Sequence, residues 1–113
     1  MAIITLTAED DGTSVEALPG DEIVVLLPEN ATTGYRWHVD RPQGCIVVES
    51  DGYQTVSPTE GGEAVFGRGG TREFRFRVTG PGTSVLALKL WREWEGERSV
   101  TQRFTVTVRA SEK

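Results

Sequence analysis

The chain is short of the ingredients that mark several common protein classes. It holds a single cysteine, Cys45, so no internal disulfide can form and the fold must stand on packing alone. Acidic residues outnumber basic ones, seventeen to twelve, for a formal charge of −5; a nucleic-acid partner calls for a basic footprint that is missing. No run approaches the eighteen or so apolar residues of a membrane helix, so no membrane partner is expected. Residues Met1 to Leu6 lack the basic stretch and long apolar core of a signal peptide. Secretion or export to a periplasm would therefore need a leader ahead of this chain, and without one the expected compartment is the cytoplasm. There is one histidine, His38, and one His with one Cys supply too few soft ligands for a metal site. No metal and no cofactor are expected.

A helical period is lacking too, whereas the two-residue period of strands recurs. Phe74, Phe76 and Val78 alternate with Arg75 and Arg77; Leu86, Leu88 and Leu90 with Ala87 and Lys89; Phe104, Val106 and Val108 with Arg103, Thr105 and Thr107. Between such runs lie turn clusters, among them Pro19-Gly20-Asp21, Arg41-Pro42-Gln43-Gly44 and Gly80-Pro81-Gly82, where glycine and proline supply backbone angles that other residues resist. The expected strands are 3–7, 13–18, 22–28, 35–39, 45–50, 53–57, 71–79, 83–91 and 100–109, with 58–66 unassigned. A chain of 113 residues is one domain with one core. Short strands at this spacing imply an all-β fold, an antiparallel sandwich or barrel. Trp37, early in a middle strand, fits the core tryptophan of an immunoglobulin-like β-sandwich whose usual disulfide is replaced by aliphatic packing.

Strand parity then orders the connections. If 22–28 runs toward one end, 29–34 is a loop at that end and 35–39 descends. Provided 45–66 makes one net upward pass, the glycine cluster 67–70 returns to the same end. After the turn at 80–82, strand 83–91 rises again and 92–98 becomes a third loop there. Loops on a rigid scaffold are where binding usually resides.

Each loop also has an ordinary reading. Asn30-Ala31-Thr32-Thr33-Gly34-Tyr35 is either a projecting wedge tipped by Thr32, Thr33 and Gly34 or a plain turn. Gly67-Arg68-Gly69-Gly70 is followed by a strand, which argues against a phosphate cradle; it reads as a flexible hairpin or as backbone that a partner can approach closely. Trp91 and Trp94 are three apart, so one flat strand cannot bury both. If Trp91 ends the strand, Trp94 sits in the loop beside Arg92 and Glu93, a composition typical of binding hot spots, or folds back over the sandwich end.

The three loops in this order resemble the chagasin family, proteinaceous inhibitors of papain-like cysteine proteases. That family's first loop reads N-P-T-T-G-Y/F, its second is of G-x-x-G type, and its third centres on R-P-W/F. Asn30 to Tyr35, Gly67 to Gly70 and Arg92-Glu93-Trp94 match them, with Ala31 and Glu93 where the family has proline. Without proline's fixed φ both loops are expected to be looser, and Glu93 sets a charge beside the aromatic anchor that would favour some proteases over others. The resemblance implies a monomeric immunoglobulin-like domain whose loops 29–35, 67–70 and 91–98 block a protease cleft reversibly. Thr32, Thr33 and Gly34 would lie over the catalytic cysteine, the glycine loop along one arm of the cleft, and Trp94 with Arg92 along the other.

Two other readings compete. An immunoglobulin-like adhesion or ligand-binding module would also expose tryptophan. An enzyme would need His38 and Cys45 as a nucleophilic pair. The strand pattern turns His38 away from the core, and free cysteine is commonly buried, so no catalytic residue is expected.

Overall fold

A computed structural model describes residues 2–30, 33–55 and 70–111. Eight strands form two four-stranded sheets stacked face to face: β1 (Ile3–Thr7), β2 (Ser14–Ala17), β3 (Glu22–Glu29), β4 (Arg36–Gln43), β5 (Ile46–Thr55), β6 (Gly70–Val78), β7 (Gly82–Trp91) and β8 (Gln102–Ala110). One sheet has the order β1-β3-β6-β5, the other β2-β8-β7-β4. Short 3₁₀ turns lie at Ala8–Asp10, Glu93–Glu95 and Glu97–Ser99, and no α-helix occurs among the described residues. The immunoglobulin-like sandwich is thus borne out, with one refinement. The long strands pair antiparallel, but the edge strands β1 and β2 join β3 and β8 in parallel. Both sheets are therefore mixed.

Where the sequence suggested separate strands at 45–50 and 53–57, a single strand β5 runs from Ile46 to Thr55, and residues 56 and 57 lie outside the described residues. The Asp51-Gly52 pair looks like a turn, yet both residues pair along β6, with Asp51 opposite Phe74 and Gly52 opposite Glu73. The break in alternation comes instead from a register shift between Val48 and Ser50, an extra residue of the kind that bends a strand without ending it. The last strand starts at Gln102, two residues later than expected, after a 3₁₀ turn at Glu97–Ser99.

The core follows from the alternation. Ile23, Val25 and Leu27 of β3, Phe74, Phe76 and Val78 of β6, Leu86 and Leu88 of β7, and Phe104, Val106 and Val108 of β8 are all buried in one cluster that also takes in Trp37 and Leu6. At roughly 1.5–3 kcal/mol per large apolar side chain removed from water, this cluster supplies the driving force that no disulfide provides. The outer faces carry partly exposed charge pairs, such as Arg75 with Glu22 and Glu73 and Arg77 with Glu49, each of modest value where water reaches it.

The parity argument holds. Strand β5 makes the single upward pass it required. Glu29, the end of β3, pairs with Gly70, the start of β6, and Thr55 pairs with the same glycine. Arg36 pairs with Trp91. The connections β3–β4, β5–β6 and β7–β8 therefore all leave and return at one end of the sandwich.

Candidate functional site

The first connection closes on itself. The backbone N–H of Thr33 donates to the carbonyl of Asn30 at 3.2 Å, and the Thr33 hydroxyl donates to that oxygen at 2.8 Å. The same hydroxyl accepts from the N–H of Tyr35 at 3.3 Å. Gly34 has φ of +83°, a left-handed conformation that costs other L-residues about 1–2 kcal/mol. Ala31 and Thr32, named for this loop from the sequence, lie outside the described residues, as do Gly67, Arg68 and Gly69 of the second loop. Gly70, the last of the glycine cluster, is buried and opens β6 at the loop end.

Trp91 is the last residue of β7 and half-buried, with the Lys89 ammonium 3.7 Å from its ring centroid. Trp94 lies beyond the strand, in the 3₁₀ turn Glu93–Glu95, with 71% of its surface exposed. It does not fold back into the core, and Glu93 and Glu95 beside it are exposed as well. The loop holds its shape through Ser99, which is buried. Its hydroxyl has the carbonyls of Arg92 (2.9 Å) and Gly96 (2.7 Å) within reach of its one proton, and accepts from the N–H of Arg92 (3.0 Å). Further along, Glu97 takes hydrogen bonds from Lys89 at 2.5 Å and Arg103 at 3.1 Å. These hold its carboxyl below the usual range, the Lys89 bond first, and tie the loop base to the sheet.

Arg92 also makes contacts within the protein. Its guanidinium donates from Nε (3.2 Å) and Nη2 (3.1 Å) to the carbonyl of Thr33, and it stacks 4.5 Å from the Tyr35 ring centroid. It joins the third loop to the first. The Trp94 indole completes the contact: a Cβ on Gly34 would stand 2.9 Å from its Cη2 atom. Arg92 and Trp94 together thus clamp the third loop to the first. The far side of the indole borders an open cleft of about 360 Å³, with Trp91 and His38 on its wall.

Beneath the loops lies a network that strand reasoning did not single out. Glu29, its side chain fully buried, accepts from Arg72 at 3.2 Å (Nε) and 2.7 Å (Nη2) and from the N–H of Trp37 at 2.7 Å. That bond raises the Arg72 pKa above its ordinary value. The Tyr53 hydroxyl donates to the Glu29 carbonyl at 3.0 Å and accepts from the Gly70 N–H at 2.9 Å. A signal existed: Glu29 continues the inward row Ile23-Val25-Leu27, and Arg72 the row Val78-Phe76-Phe74. Charges on an inward row must find partners.

His38 and Cys45 do not meet. His38 is exposed near the loop end and faces Trp91, ring centroids 5.8 Å apart. Cys45 lies beyond the other end of β4, half-buried, its thiol donating to the Pro81 carbonyl. Among the described residues no cluster of His, Cys, Asp or Glu could hold a metal ion.

Comparison with known proteins agrees with this geometry. The family model described as chagasin family peptidase inhibitor matches residues 16–108. The chain is 27% identical to chagasin of Trypanosoma cruzi over 112 residues, 94% of this chain and 96% of that protein. It is 25% identical to amoebiasin-2 of Entamoeba histolytica, over 95% of this chain and 85% of that protein. The crystal structure of the cysteine protease inhibitor EhICP2 from Entamoeba histolytica shares the fold, with a TM-score of 0.78 at 24% identity, covering 97% of this chain and 96% of that one. A match that takes in nearly all of the sandwich, from β2 to β8, leaves one assignment: the chain belongs to the chagasin family of peptidase inhibitors, and it is an inhibitor, not an enzyme.

Proposed function

We propose that the chain inhibits papain-like cysteine proteases reversibly by filling the active-site cleft with its loop end. The observation that carries this reading is Trp94: a large apolar side chain, 71% exposed, on a loop whose backbone is bonded to its own base and whose Arg92 side chain is bonded to the neighbouring loop. Loops preset in this way lose little freedom on binding, which lowers the ordering cost that limits affinity.

In this reading the turn at Asn30 to Tyr35 enters the cleft, and Thr32, Thr33 and Gly34 would lie over the catalytic cysteine. The turn folds back on Asn30 and does not offer an extended peptide for cleavage. Gly67, Arg68, Gly69 and Gly70 would lie along one arm, where the three glycines let backbones approach. Trp94 and Glu93 meet the other arm. Arg92 serves chiefly to hold Trp94 and Thr33 in register, because its guanidinium is already engaged within the inhibitor.

The test is a titration of papain with the purified protein, followed by peptide hydrolysis. Stoichiometric inhibition, with the inhibitor recovered intact, is the expected result. No inhibition of several papain-like enzymes at micromolar excess would return the adhesion-module reading to first place.

A further inference from the structure

Glu29, Arg72 and Tyr53 sit where the sandwich core meets the loops, and their bonds reach the backbone at the loop roots. The Glu29 carboxylate holds the N–H of Trp37, just inside β4, so it joins the two ends of the first loop. The Tyr53 hydroxyl bridges the Glu29 carbonyl, the last step before Asn30, and the N–H of Gly70, the first residue after Gly67 to Gly69. One side chain thus joins the departure of the first loop to the return of the second. Arg72 fixes the carboxylate by a two-pronged contact and lies 5.3 Å from the Tyr53 ring centroid.

Stability alone does not account for this arrangement. Positions 29 and 72 end inward rows whose other members are Ile, Val, Leu and Phe, so apolar residues there would extend the core. Replacing a buried ion pair by packed apolar residues is commonly neutral or stabilising. What apolar packing lacks is direction. Contacts between hydrocarbons tolerate small rotations, whereas a bidentate arginine–carboxylate pair and a hydroxyl with both donor and acceptor filled fix angles.

We propose that Glu29, Arg72 and Tyr53 are positioning residues for inhibition: without touching the protease, they set the first loop against the glycine loop. The proposal rests on the inhibitor reading above. Two measurements test it. The first compares Tyr53→Phe, which removes only the hydroxyl, with Val106→Ala, a truncation in the middle of the core, both at a temperature where each variant is folded. Tyr53→Phe is expected to raise the inhibition constant for papain by about 3- to 10-fold, and Glu29→Gln to act in the same direction. Val106→Ala lowers the melting temperature but changes inhibition less than about twofold. An unchanged inhibition constant for both Tyr53→Phe and Glu29→Gln overturns the proposal, as does an equal rise in Val106→Ala.

The second measurement needs no protease. Amide exchange in Tyr53→Phe should quicken not only at Gly70, whose acceptor is gone, but also at Thr33, whose own bond to Asn30 is untouched. Unaltered exchange at Thr33 overturns the coupling. If the unaltered protein fails to inhibit papain, the inhibitor reading falls, and exchange alone still decides whether the network orders the loops.

Discussion

The two ends of the sandwich are built on different principles. At the end away from the loops, the inward rows of β3 and β6 start with Ile23 and Val78, packed with Ile46 and Val108 in an apolar layer. The turns there are short, and Asp21 caps them by accepting the N–H groups of Ala2 and Leu18 at 2.9 Å each. At the loop end the same rows finish in Glu29 and Arg72, and Tyr53 and Trp37 add directed hydrogen bonds. Where the chain only needs to turn back, an apolar layer and a capped turn suffice. Where three loops must keep a shared shape without disulfide or proline, directional contacts take over.

Five substitutions would break or sharpen this contrast. The largest effect on stability is expected at the far end: Ile23→Ala should cost about 2–5 kcal/mol in chemical denaturation while leaving inhibition by the folded protein unchanged. Reduced inhibition at temperatures where the variant is folded would mean that the two ends are not independent. Trp94→Ala reverses the pattern. It should lower affinity for papain by roughly 30- to 1,000-fold, or about 2–4 kcal/mol, with little change in melting temperature because the side chain is exposed. Equal inhibition by this variant would remove Trp94 as the anchor.

Next comes a matched pair of glycines. Gly34→Ala and Gly20→Ala both force alanine into positive φ, +83° and +95°, at about 1–2 kcal/mol each. Only Gly34 also faces the Trp94 indole. Both variants should melt earlier, but Gly34→Ala alone should weaken inhibition. A parallel loss in Gly20→Ala would argue against the clamp.

The smallest effect concerns acid. Lys89, then Arg103, hold the Glu97 carboxyl below its ordinary value near 4.5. Its ionised form therefore stabilises the fold fully above that value, and the contribution disappears as pH falls through the lowered one. Asp21, held down by the N–H groups of Ala2 and Leu18, behaves alike at the other end. Glu97→Gln should flatten the fall in melting temperature between about pH 6 and about pH 3, and inhibition should become less acid-sensitive. An unchanged acid limb would show that the Glu97 pair is not coupled to folding.

Much of this architecture could be read from the residues. Alternation at 74–78, 86–90 and 104–108 placed three strands and their inward faces, because a strand half in water must repeat every second residue. Parity placed the loops at one end. The odd spacing of Trp91 and Trp94 meant that one flat strand could not bury both, but left open whether Trp94 stood out in the loop or folded back over the sandwich end. The reading failed where local and long-range preferences conflict. Asp51-Gly52 has turn chemistry, but pairing with β6 outweighs it. The edge strands β1 and β2 are too short to declare parallel or antiparallel pairing, which depends on how the chain crosses between sheets.

The sequence by itself settled the fold class, the inward rows and the order of the loops, since periodicity and punctuation act over a few neighbouring residues. Tertiary structure alone decided that Arg92 reaches across 59 positions to Thr33, that Glu29 and Arg72 meet 43 residues apart, and that Tyr53 bridges two loop roots. Such partners are chosen by the stacking of two sheets, a relation between distant segments that no local pattern encodes.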